Sequence, residues 1–108
     1  MIKVVIADKN KDKIENLVSQ KPLNELFIKA VDYFSTIHGI YKFRENQEIR
    51  KLIVDNNDFY TYRLNASYRM LFTSYGDEKG DIYIIIIDIV SASELYNTSY
   101  LRDLQNYK

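Results

Sequence analysis

The sequence predicts an α+β domain in which helices lie on one face of a small, mainly antiparallel sheet. Three observations carry that expectation. A short β-branched run, "IKVVIA" at residues 2–7, opens the chain; apolar residues recur every three or four positions from Leu23 to Phe34; and residues 59–92 hold three strand-like runs separated by short turns. With 108 residues, 46% of them hydrophobic and 28% charged, the chain supplies one core and no second, so it is read as a single domain over residues 1–108.

Each element has its own reason. The opening run is bounded by "DKNKDK", which marks a buried strand followed by a helix start with Asp8 as the N-cap. Ile14, Leu17 and Val18 then form a short amphipathic helix that ends before "QKP", because the residue preceding proline is biased away from helical geometry. Pro22 suits the opening of the next helix. Its stripe of Leu23, Leu26, Phe27, Ala30, Val31 and Phe34 is broad enough to need a sheet as partner.

Residues 37–58, interrupted at Gly39, are expected to be a connection carrying a short helix or an added strand. "FYTYRLN", "SYRMLFTSYG" and "DIYIIIIDIVSA" follow as an antiparallel meander, and the all-apolar stretch Ile84 to Ile87 predicts a strand buried on both faces in mid-sheet. Alternation within the second of these puts Tyr68, Met70 and Phe72 towards the helices and Arg69, with Leu71, Thr73 and Tyr75, on the open face. The tail "SELYNTSYLRDLQNYK" reads as one terminal helix.

Composition excludes several chemistries. Without cysteine there is no disulfide, thiolate nucleophile or Cys-based metal site, and a small domain without such staples fits a reducing cytoplasm. One histidine, His38, cannot build a multi-His centre, so neither a metal nor another cofactor is expected. "IYIIIIDIV" is far shorter than the roughly 20 residues that span a bilayer, so no membrane association is expected. Fifteen basic residues balance fifteen acidic ones, which removes any global polycationic signal. A drift remains: residues 1–51 carry ten Lys or Arg against seven Asp or Glu, and residues 52–108 carry five against eight.

The meander, with "YRL" at 62–64, "YRMLF" at 68–72 and "IYIIIIDI" at 82–89 in this order behind a leading strand and two helices, resembles the RelE/ParE superfamily of bacterial toxins. The likeness covers nearly the whole chain as architecture, and its motifs lie within residues 60–96. It implies a toxin neutralised by a cognate antitoxin, with which it can form a small oligomer. In RelE-like members the resemblance implies ribosome-associated, metal-independent cleavage of mRNA through attack of the 2′-hydroxyl on its own phosphodiester. In ParE-like members it implies a non-nucleolytic inhibitor of a protein target such as gyrase. Arg69 matches the arginine that meets the scissile phosphate, Arg63 a basic position on the preceding strand, and Tyr96 a late tyrosine that acts on the substrate or stacks a base. The chain departs from the ribonuclease pattern in having Thr61 where some members carry lysine and no Lys, Arg or His between Ile82 and Arg102, a departure that favours the ParE-like alternative.

Chemistry sorts these residues independently. Metal-free RNA cleavage needs a base for the 2′-hydroxyl, cations at the phosphoryl oxygens and an acid for the leaving 5′-oxygen. Arginine fits the second task, since its fork pairs bidentately with phosphate, and its high pKa disqualifies it from the first. Tyr96, Tyr68, Tyr100, His38, Glu94 and Asp88 are the candidates for proton transfer. Asp88, embedded in isoleucines, is expected to meet Arg63 or Arg69 across the sheet or to lie at the exposed end of its strand, because an unpaired buried carboxylate is costly.

Overall fold

A computed structural model describes residues 2–36, 48–54 and 57–104; His38 lies outside them. The elements are β1 (Ile2–Ile6), a 3-10 turn at Asp8–Asn10, α1 (Lys11–Val18), α2 (Leu23–Thr36), β2 (Ile49–Val54), β3 (Asn57–Arg63), β4 (Tyr68–Gly76), β5 (Ile82–Ser91), α3 (Ala92–Leu95) and α4 (Thr98–Leu104). This is an α+β fold with one mixed five-stranded sheet, ordered β1-β5-β4-β3-β2. The four strands β2 to β5 form antiparallel pairs, and β1 adds to β5 in parallel. None of the described helices is long and apolar enough to cross a membrane.

The first face is built as the alternation requires. Met70 and Phe72 are fully buried with Ile14 of α1 and with Leu23, Ala30 and Phe34 of α2, and Tyr68 packs against the same cluster. The rings of Phe34 and Phe72 sit 4.7 Å apart, which fixes α2 across the centre of the sheet. Burying a side chain of this size contributes about 1.5–3 kcal/mol, so these contacts settle which face of β4 points inward.

The second face departs from expectation. Helices were expected on one side only, yet Leu71, Phe59, Ile87 and Val90 are buried beneath Leu95 of α3 and Leu104 of α4. The tail is two short helices in place of one. The break falls at Asn97, whose Oδ1 accepts from the backbone N–H groups of Ser99 and, at 3.4 Å, Tyr100, and so starts α4 afresh. The connection expected over 37–58 contains the added strand, β2, and β3 begins at Asn57, two residues earlier than the run that predicted it.

A β-bulge in β5 explains how four consecutive isoleucines and an aspartate share one strand. Leu71 pairs with Asp88 while the next residue, Phe72, pairs with Ile86, so Ile87 is the extra residue. Without that offset Asp88 would follow Ile84 and Ile86 into the first core. The bulge turns it to the second face. There its carboxylate meets Lys13 Nζ at 3.0 Å and accepts from the Tyr100 hydroxyl at 2.9 Å and the Ile89 N–H at 2.8 Å. The expected partnership of Asp88 with Arg63 or Arg69 is therefore corrected. The carboxylate is 2% exposed and fully satisfied, and the arginines stay on their own ground.

Asp8 is likewise not the helix cap. It lies in the 3-10 turn, and Asn10 takes the N-cap position of α1 without a side-chain capping bond. The reason is local: the Asn10 amide donates instead to the bulge carbonyl of Ile87 at 3.0 Å, tying the start of α1 to β5.

The Tyr100 hydroxyl is raised above its ordinary value of 10.0, first by burial and then by the negative charge of Asp88. A group whose folded pKa exceeds its unfolded pKa contributes stability that is complete below the unfolded pKa and is lost as pH climbs through the folded one. Urea melts from pH 9 to 11 should therefore show wild-type stability falling once pH passes about 10, with a shallower fall in Tyr100→Phe.

Candidate anion-binding cleft

The turn between β3 and β4 decides where the two arginines sit. Asn65 Oδ1 accepts from the Ser67 and Tyr68 N–H groups, both at 2.8 Å, and the Leu64 N–H donates to the Tyr68 carbonyl at 3.1 Å, closing a tight Asx-type turn. Arg63 and Arg69 then face each other directly across the pair of strands. The Arg69 guanidinium is braced by the turn itself: Nη1 donates to the Asn65 carbonyl at 2.7 Å and to the Tyr68 carbonyl at 3.2 Å. Among the described residues its Nε and Nη2 make no hydrogen bond, so a fixed fork still has donors to give.

β2 brings a third cation. Arg50 pairs across from Thr61, diagonal to Arg63, and the Arg63 N–H donates to the carbonyl of Glu48 at 2.9 Å. Together Glu48, Arg50, Thr61, Arg63 and Arg69 line an open cleft of about 340 Å³ on the second face, beside the part that α3 and α4 cover. Three arginines and one glutamate thus line it. Ion pairs among the described residues are Lys13 with Asp88 and Lys51 with Asp58, so none of the three arginines is neutralised in one.

Like charges directly opposite in an antiparallel pair destabilise it by a few tenths of a kcal/mol to about 1 kcal/mol. A fold that keeps Arg63 opposite Arg69 gives up stability for a concentration of positive charge, which an anion would relieve. Arg63→Gln should accordingly raise Tm by a few degrees in a thermal melt while weakening binding of a phosphate-bearing ligand.

The proton-transfer candidates are scattered. Tyr96 is 71% exposed at the end of α3 and does not line the cleft. Tyr68 packs on the first face, Tyr100 and Asp88 bind each other, and Ser91 Oγ caps α3 by accepting from the Glu94 N–H at 3.1 Å. Tyr62 lies behind the cleft, on the first face. Burial and then the nearby Glu48 raise its hydroxyl above the usual value, which keeps it protonated.

Glu48 is the group that sequence reasoning did not single out. It is the carboxylate lining the cleft, one residue before β2, where its backbone carbonyl accepts from the Arg63 N–H. Recognising β2 in the sequence would have placed it there. Among the described residues no three His, Asp or Glu side chains are grouped so as to hold a metal ion. The arrangement can grip a phosphoryl group with two or three guanidinium forks while a carboxylate stands beside it. No protein-family model, no curated protein and no solved structure matches the chain.

Proposed function

We propose that the chain is a RelE-like toxin whose arginine cleft cleaves ribosome-bound mRNA, with a cognate antitoxin as its physiological partner. The observation that supports this most is Glu48 lining the same cleft as Arg50, Arg63 and Arg69. Cleavage by transesterification needs a base and a cationic cradle at one phosphodiester, the roles this reading gives to Glu48 and to the arginines.

In this reading Glu48 takes the proton of the 2′-hydroxyl, and the freed oxygen attacks the adjacent phosphorus. The bond to the 5′-oxygen breaks, leaving a 2′,3′-cyclic phosphate on one fragment and a 5′-hydroxyl on the other. Arg69, braced on the turn, and Arg63 opposite it hold the non-bridging oxygens as charge grows on them. Water protonates the leaving oxygen, since Tyr96, the tyrosine matched to the family's late position, does not line the cleft.

Induced expression in a bacterium, with mRNA 5′ ends mapped afterwards, tests the proposal. Growth arrest with codon-linked cuts is the expected result. Arrest without cuts would replace it with a ParE-like toxin acting on a protein, the alternative favoured by the absence of Lys, Arg and His between Ile82 and Arg102. Unimpaired growth would leave a binding module on the same scaffold.

A further inference from the structure

A second depression, of about 310 Å³, adjoins the arginine cleft and shares Glu48 and Arg63 with it. It wraps from the end of β3 towards α2, where Leu26, Lys29, Tyr62, Leu64 and Asn65 complete the lining. We infer that this depression is a subsite for the nucleotide next to the gripped phosphate, so that single-stranded RNA runs continuously through both. The inference rests on the nucleolytic reading for the first cleft.

Three properties fit a nucleotide. The Tyr62 ring is held in place by Tyr33 at 6.1 Å and by an edge-on contact with Phe34 at 5.7 Å, and beside the half-buried Leu26 it offers an apolar surface on which any base can stack. Lys29 is exposed on α2 and stands where the next phosphate of the strand would pass. Asn65 has its Oδ1 occupied by the turn, and its amide nitrogen, which makes no hydrogen bond among the described residues, is left as a fixed donor for a base edge. Continuity through Glu48 and Arg63 joins these groups to the phosphate grip, and Lys29 with Arg63 makes the path cationic.

Fluorescence anisotropy with labelled 2′-fluoro RNA, which cannot be cleaved, tests the subsite by comparing a dinucleotide with a hexanucleotide. The hexanucleotide should bind the wild type more tightly. Lys29→Gln, on an exposed helix surface, should weaken the hexanucleotide several-fold and reduce its log–log salt slope by about 0.7, the value for one phosphate contact on a single strand. Tyr62→Leu should weaken it roughly tenfold. Dinucleotide binding, which offers no second phosphate, should be unchanged in Lys29→Gln and weakened in Tyr62→Leu. Equal losses at both lengths in Lys29→Gln, an unaltered hexanucleotide in either variant, or no dependence on length in the wild type would overturn the inference. Incubating the wild type with ribosomes carrying an all-ribose mRNA, and mapping the cuts, separates the two readings. Length-dependent binding without cleavage retires the nuclease and keeps the subsite, and cleavage with a Lys29-independent hexanucleotide does the reverse.

Discussion

Arg69→Ala is expected to lower RNA cleavage by about 10²–10³-fold, the loss seen when one preorganised donor to a developing oxyanion is removed. The size follows from how the side chain is held. Two turn carbonyls fix Nη1 at 2.7 and 3.2 Å, so the rest of the fork points into the cleft without first losing conformational freedom. Arg69→Lys should recover little, since an ammonium cannot brace the turn and grip phosphate with the same planar group. The protein should stay folded, because removing one of two opposed cations offsets the lost turn contacts. Initial rates on ribosome-bound mRNA of defined sequence, with circular dichroism melts as the folding control, decide the matter. A variant retaining more than a tenth of wild-type activity would place the scissile phosphate elsewhere. Glu48→Gln in the same assay should lose at least 10²-fold if the carboxylate is the base.

The second large effect is on stability. Asp88→Ala should cost about 2–4 kcal/mol in urea denaturation, because the change strands a Tyr100 hydroxyl and a buried Ile89 N–H and leaves a void under α4. The loss stays below that of a fully buried ion pair. Lys13 is 43% exposed and can turn its ammonium to water once the carboxylate is gone. Asp88→Asn, whose single amide oxygen keeps one of the two donors, should recover part of the loss. A fall of under 1 kcal/mol in Asp88→Ala would mean that α4 docks through Leu104 and its apolar neighbours alone.

Much of the architecture was legible because two periodicities are written plainly in the chain. The three- and four-residue spacing from Leu23 to Phe34 and the alternation through Tyr68, Met70 and Phe72 each identified a buried face correctly. What escaped has physical causes. β2, expected only as one of two possibilities over 37–58, has Arg50 and Lys51 breaking the alternation of its apolar residues at the sheet edge, and Glu48 went unnoticed beside it. The partners of Asp88 depended on a one-residue bulge, and a run of isoleucines carries no trace of where an alternation slips. Covering of the second face by α3 and α4 rested on Leu95 and Leu104, too few apolar residues to signal a second core. Arg63 and Arg69 were found through "YR" pairs. Their confrontation across the turn, and Arg50 beside them, needed the register.

The parallel partnership of β1 with β5 sets the order in which the molecule can assemble. Ile2 pairs with Ile82 and Ile6 with Ile86, so the first strand made on the ribosome waits for the last one. Such distant pairing slows folding, since loop-closure entropy is lost before the contact repays it. The hairpins β2–β3 and β3–β4 are local and can form while residues 82–91 are still being added. Until β5 emerges, β1 is a short, bare strand and the helices behind it have only part of a floor. Folding is therefore completed from the C-terminal side, and a chain stalled before residue 82 would carry an arginine cleft whose central strand, β4, is paired on one side only.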